Sequence, residues 1–209
     1  MLDKAATDLI RPAVNNLARA LHAAGVSANQ VTFAAFGFGM LAAYLVANNA
    51  YIASAFVIVF SRILDALDGA VARLDGPTDA GGFLDISLDF IFYASIPLAF
   101  ALANPLQNAL PGAVLLAAFM GTGTSFLAFA TLAAKRGLHS AAYPNKSFYF
   151  LGGLTEATET LACFLAMCLW PQYFPELAYG FAVLCAITIG TRIVGGFLML
   201  QRADRAPKP

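Results

Sequence analysis

Six stretches of the chain are apolar enough and long enough to cross a ~30 Å hydrocarbon core, which takes roughly 20 helical residues. They cover residues 31–48, 51–73, 80–103, 109–134, 147–170 and 177–200. Short connections carrying Pro, Gly or Asn separate them: Asn48-Asn49, Gly76-Pro77, Asn104-Pro105, Tyr143-Pro144-Asn145 and Pro171. Unsatisfied backbone is too costly in lipid for open strands, and short alternating segments of the barrel type are absent, so the pattern predicts an all-α bundle of six transmembrane helices. Ahead of the first stretch, Leu2, Ala6, Leu9, Ala13, Leu17 and Leu21 recur at helical spacing with charged residues off that stripe. This predicts an N-terminal amphipathic helix lying on the membrane surface, kinked or restarted at Pro12. Residues 1–30 have no compact apolar core of the kind a cleavable signal needs, because Asp3, Asp8 and Asn15-Asn16 interrupt it. No internal repeat is evident. The chain reads as one domain over residues 1–209, with 1–26 interfacial and 31–200 forming the bundle.

Composition agrees with the pattern. The chain is 60% hydrophobic and 11% charged, against the roughly 25% charged residues of soluble domains. The net charge of zero conceals a sorting by side. Lys4, Arg11 and Arg19 precede the first span, Arg73 follows the second, Lys135, Arg136 and Lys146 follow the fourth, and Arg202, Arg205 and Lys208 follow the sixth. The other three connections contain no Lys or Arg, which puts both termini in the cytoplasm. Trp170 and Tyr173 fit the outer aromatic belt. Cys163, Cys168 and Cys185 lie in spans without metal-type spacing and read as small apolar fillers.

Against this background, four aspartates inside spans stand out, because ionisable residues in hydrocarbon are costly and point to function. Asp65 and Asp68 lie at i,i+3 near the end of the second span, and Asp85 and Asp89 at i,i+4 near the start of the third. Each pair shares a helix face, and the short turn between the spans places the pairs in matched layers, about 8 and 13 Å from it at 1.5 Å per residue. If the faces meet, four carboxylates converge and need positive charge, which one or two divalent cations supply; oxygen ligands favour Mg²⁺ or Mn²⁺. Gly69 and Ala72 leave the helix surface bare, and Arg73 offers a fork of donors for phosphate. A metal-assisted phosphoryl-type transfer at the cytoplasmic face follows from these residues. Asp75 and Asp79, in the turn, read as solvated.

The run Asp65-x2-Asp68-Gly69-x2-Ala72-Arg73-x7-Gly81-x3-Asp85-x3-Asp89 resembles the signature of the CDP-alcohol phosphotransferases, and the six spans and amphipathic N-terminus extend the likeness over most of the chain. Residues 27–37 and 146–160 further resemble an uncharacterised proteobacterial inner-membrane subgroup. The resemblance implies that Asp65, Asp68 and Asp85 hold two divalent cations, with Asp89 contributing to the second and serving as general base. It implies that Gly69, Arg73, Thr78 and the run Asn29, Gln30, Val31 and Thr32 contact the CDP moiety, and that Asp65 shares in binding CDP-diacylglycerol. The implied reaction is attack of an alcohol on the lipid-attached phosphorus of CDP-diacylglycerol with release of CMP, carried out by a homodimer in the inner membrane.

The acceptor side is open to more than one reading. Arg192, inside the sixth span, either clamps a phosphate on the acceptor together with Lys135, Arg136 and Lys146, or pairs structurally with an aspartate, Glu156 or Glu159. The clamp, and with it a phosphorylated polyol of the glycerol 3-phosphate or inositol phosphate type, is the favoured expectation; free inositol or serine is the alternative. Glu156 and Glu159 either pair with Arg192 or Arg62 or bind acceptor hydroxyls. His22 and His139 read as interfacial. Two rival functions are weaker: a membrane prenyltransferase wants more spans and two Asp-rich boxes, and a cation- or proton-coupled transporter wants polar residues through the outer half, where the second and third spans are almost wholly apolar.

Overall fold

The computed structural model describes residues 2–136 and 153–205, with side chains from residue 11 onward. Among these, every regular element is helical: α1 Leu2–Ala23, α2 Ala28–Ala47, α3 Tyr51–Asp75, α4 Asp79–Ala103, α5 Pro105–Lys135, α6 Ala157–Leu169, a 3-10 turn Pro171–Tyr173, and α7 Phe174–Arg205. The boundaries follow local chemistry. Ser27 caps α2, its hydroxyl accepting from Gln30 N while the Gln30 side chain accepts from Ser27 N, a reciprocal box that closes two orphan donors. Gly76, at φ 91°, ends α3 in a conformation that side chains resist, and Thr78 then caps α4 through Gly81 N. Asn49, at φ 61°, makes the tight connection between α2 and α3.

Four of these helical stretches, Ala28–Ala47, Asp79–Ala103, Pro105–Lys135 and Pro171–Arg205, are long and apolar enough to cross a membrane. The fold is thus an all-helical membrane bundle. The other two expected spans differ for separate reasons. Helix α3 has 25 residues, ample length for a crossing, but Arg62, Asp65, Asp68 and Arg73 dilute its apolar character. Of the fifth, α6 forms only 13 residues; residues 153–156 ahead of it are not helical, and 147–152 lie outside the described residues.

Small residues bring the helices close. A Cβ on Gly39 of α2 would meet the Phe92 ring of α4 at 2.7 Å, and one on Gly196 of α7 would meet Phe129 of α5 at 2.8 Å. Glycine therefore lets an aromatic ring lie on the neighbouring backbone, the usual device where lipid offers no hydrophobic drive between helices. Ser54 and Ser61 of α3 donate to the carbonyls of Ala42 and Ala35 in α2, at 2.8 and 2.7 Å. A large apolar core, including Phe92, Phe100, Leu115, Phe164, Met167 and Phe174, fills the end of the bundle away from the α3–α4 turn. Outward-facing side chains are also apolar: Phe56, Phe83, Val183 and Phe197 are among many large exposed hydrophobics, as a lipid-facing surface requires.

Helix α1 packs on the turn end of α3, where Val14, Ala18 and Leu21 meet Leu64, Leu67, Ala70 and Val71. Its helical assignment runs unbroken through Pro12 rather than restarting there. The docked face also differs from the expected stripe: Ala18 is buried while Leu17 remains half exposed. Adjacent residues point ~100° apart on a helix, so the helix has a face for α3 and a second apolar face left over. His22 closes the contact at 3.1 Å from Asp75, which is therefore paired and not merely solvated.

Candidate active site

The α3–α4 hairpin carries the acidic residues, and its tight turn sets their register. Asp65, Asp68 and Asp85 each offer a carboxylate oxygen, and these oxygens all lie within 4.8 Å of one another. Asp68 is buried, and its Oδ2 has no hydrogen-bond partner. A buried, unpartnered carboxylate oxygen in a group of three is costly by itself. The donor set, all carboxylate oxygen and drawn from two helices, suits a hard divalent cation. No nitrogen or sulfur ligand competes among the described residues of the group.

Asp89 does not join the three. Its Oδ1 accepts from Arg62 Nη1 at 2.6 Å, and the same Nη1 stands 3.3 Å from Asp65 Oδ1. The four carboxylates thus share one region, three as a close triad and Asp89 beside them in an ion pair with Arg62. Arg62 is the residue that sequence reasoning left without a role, with Glu156 and Glu159 offered as partners. A signal was present: Arg62 lies at i−3 from Asp65, one turn deeper on the same face, where Asp89 also falls. A small cleft lined by Thr32, Phe36, Arg62, Asp65, Asp85, Leu88 and Asp89 connects these groups.

The run Asn29–Thr32 divides by function of place. Gln30 is used by the α2 cap, and Val31 is buried in the cluster under α1. Thr32 lines the acidic cleft. Asn29 reaches across to α4, where a Cβ on Gly81 would stand 3.4 Å from its Oδ1 and 3.1 Å from Thr78 Oγ1. Asn29, Thr78 and Gly81 therefore meet at the α4 N-terminus, whose free N–H groups favour an anion. Arg73 is exposed, with Nη1 folded over Gly69, 3.5 Å from where a Cβ would be. The bare glycine surface and the phosphate-type donor are thus side by side.

On the other side of Asp89 opens a cavity of about 700 Å³ between α4, α5, α6 and α7. Its wall is mainly apolar, with Asp89, Tyr93, Glu156, Arg192 and three threonines as the groups that carry polar atoms. Arg192 is buried, donates to the Thr122 carbonyl at 3.2 Å, and feels the charge of Glu156. Glu156 accepts from Gly153 N, and Glu159 accepts from Glu156 N, so both carboxylates also cap α6. Two other expected members of the acceptor clamp, Arg136 and Lys135, do not line the cavity. Arg136 pairs with Asp204 at 2.7 Å and donates to the Leu200 carbonyl, tying the ends of α5 and α7. Lys135 is exposed beside it. Lys146 and His139 lie outside the described residues.

Comparison with known proteins gives the family and the fold. The sequence matches the family model for CDP-alcohol phosphatidyltransferase over residues 25–194. It is 49% identical over 205 residues to the inner membrane protein YnjF of Escherichia coli (strain K12), covering 98% of this chain and all of that one. A stretch of 100 residues is 35% identical to the archaetidylinositol phosphate synthase of Pyrococcus horikoshii, covering 46% of this chain and 53% of that one. The fold is shared with the phosphatidylinositol phosphate synthase of Mycobacterium tuberculosis. Its CDP-DAG-bound crystal structure aligns with a TM-score of 0.71 at 22% identity, over 88% of this chain and 93% of that one. The same enzyme with manganese and citrate aligns at 0.69 and 23% identity, over 88% of both.

Proposed function

Because the chain belongs to the CDP-alcohol phosphatidyltransferase family, we propose that it transfers the phosphatidyl group of CDP-diacylglycerol to the hydroxyl of a small polyol, releasing CMP. The observation that carries this reading is the triad Asp65, Asp68 and Asp85, with its buried unpartnered oxygen, set beside a phosphate-type donor and a helix N-terminus. The three carboxylates would hold Mg²⁺ or Mn²⁺. Such a cation, when bound, neutralises pyrophosphate charge and makes the phosphorus easier to attack.

The chain's own groups divide the remaining work. Arg73, lying over Gly69, donates to the pyrophosphate, and Asn29 and Thr78 receive the nucleotide at the α4 N-terminus. Asp89 borders both the acidic cleft and the cavity, which supports its role as proton acceptor between donor lipid and alcohol. The cavity takes the acceptor. Arg192 would meet a phosphate on it, which favours a phosphorylated polyol of the glycerol 3-phosphate or inositol phosphate type. A second reading, an unphosphorylated alcohol, draws on Glu156 beside Arg192 and on Arg136 being engaged by Asp204. In the same reading the protein is a homodimer in the bacterial inner membrane with six spans, both termini in the cytoplasm and α1 on its surface.

The test is CMP release from CDP-diacylglycerol in detergent with a panel of alcohols, phosphorylated and not. One alcohol should support turnover, EDTA should stop it, and Mg²⁺ or Mn²⁺ should restore it. Undiminished turnover in EDTA would exclude the metal-assisted transfer.

A further inference from the structure

The guanidinium of Arg62 is fixed from several sides. Nη1 bridges Asp89 at 2.6 Å and Asp65 at 3.3 Å, and Nη2 donates to Ser61 Oγ at 3.1 Å. Cζ lies 4.1 Å from the centroid of the fully buried Phe92 ring, within cation–π range. The side chain is 10% exposed, and its Nε has no hydrogen-bond partner, so the two carboxylates and the ring face are what hold its charge. An arginine does not lose its proton in a protein, so this positive charge is permanent.

A divalent ion shared by Asp65 and Asp89 would need the space that Nη1 fills. Both cannot be there, since Nη1 already stands within hydrogen-bond or ion-pair distance of the two carboxylate oxygens the ion would bridge. Nor can the guanidinium leave easily. Phe92 is itself pinned against Gly39, and withdrawing Arg62 would strand a buried charge without its carboxylates.

We propose that Arg62 supplies the second positive charge of this site. The protein by itself then binds a single divalent ion, at Asp65, Asp68 and Asp85, and Asp89 stays off the metal with its carboxylate aimed by Arg62. Arg62 is thus a positioning residue for Asp89. This rests on the reading that the triad binds a divalent cation.

The experiment counts bound Mn²⁺ on the purified full chain in detergent, without nucleotide, from the free-ion signal in electron paramagnetic resonance. Wild type should bind one equivalent. Arg62→Met, unbranched and uncharged, should bind two, and Arg62→Lys should return to one. Adding Asp89→Asn to Arg62→Met should remove the second ion again. Two equivalents on wild type, or one on folded Arg62→Met, overturns the proposal. No bound ion on wild type would instead remove the triad reading beneath it. If Arg62→Met fails to fold, the wild-type count decides.

Discussion

Asp68 and Asp89 differ in their neighbours, and the difference sets what each substitution does. Asp68 is buried, with an oxygen that has no protein partner, whereas the Oδ1 of Asp89 is held by Arg62. Asp68→Asn should therefore weaken Mn²⁺ and nucleotide binding together. Asp89→Asn keeps the side-chain volume and leaves the triad intact, so nucleotide affinity should persist while turnover falls about 10²–10⁴-fold, the usual range for a lost proton acceptor. Nucleotide titration and CMP release on both variants check this. Equal loss of binding in the two would make Asp89 a ligand rather than a base.

At the scale of elements, the α2–α4 contact governs the site from outside it. Gly39 lets Phe92 approach α2, and Phe92 carries the Arg62 guanidinium on its face. Gly39→Ala puts a methyl group 2.7 Å from a ring atom. The ring is walled by the core and has little room to move, so the variant should lose about 1–3 kcal/mol from overpacking. Gly37→Ala, two residues away and with nothing within 4 Å of the added Cβ, should be neutral or better by up to ~1 kcal/mol, since alanine is the stronger helix former. Thermal unfolding in detergent ranks the two. Turnover should follow the same order, because displacing Phe92 also displaces Arg62 from Asp89.

For the whole molecule, the exposed apolar side chains and the sorted Lys and Arg residues set the protein in the bilayer, and the α3–α4 turn defines which end bears the site. With that turn in the cytoplasm, Asn48 at the end of α2 faces the opposite side, and Ala134 at the end of α5 lies with the turn. Both residues are exposed. Asn48→Cys should be labelled by a membrane-impermeant maleimide on intact cells, and Ala134→Cys only after the membrane is opened. The reverse pattern would invert the topology and turn the acidic cleft outward. The native cysteines lie within helices, with Cys168 and Cys185 buried, so they give a low background.

Properties carried by local spacing were legible without coordinates. Apolar run lengths set the helices α2, α3, α4, α5 and α7 to within a few residues. The i,i+3 and i,i+4 spacing of the aspartates announced an acidic site at the α3–α4 turn, because a helix holds such pairs on one face whatever surrounds it. Which of the four would meet was a different matter. It depends on the rotation of α3 against α4 and on what else reaches between them, and a long charged side chain, Arg62, holds Asp89 apart from the close triad. The same holds for α1, whose stripe was visible but whose docked face, through Ala18, was chosen by the shape of α3. Arg136 and Arg192 share a charge sign in the sequence and separate in space, one spent on Asp204 at the bundle's edge and one buried at the cavity. Spacing along a helix is a property of the backbone, and so of the sequence alone. Partnership between helices is settled only when rotation, close approach at small residues and competition for charge are decided together.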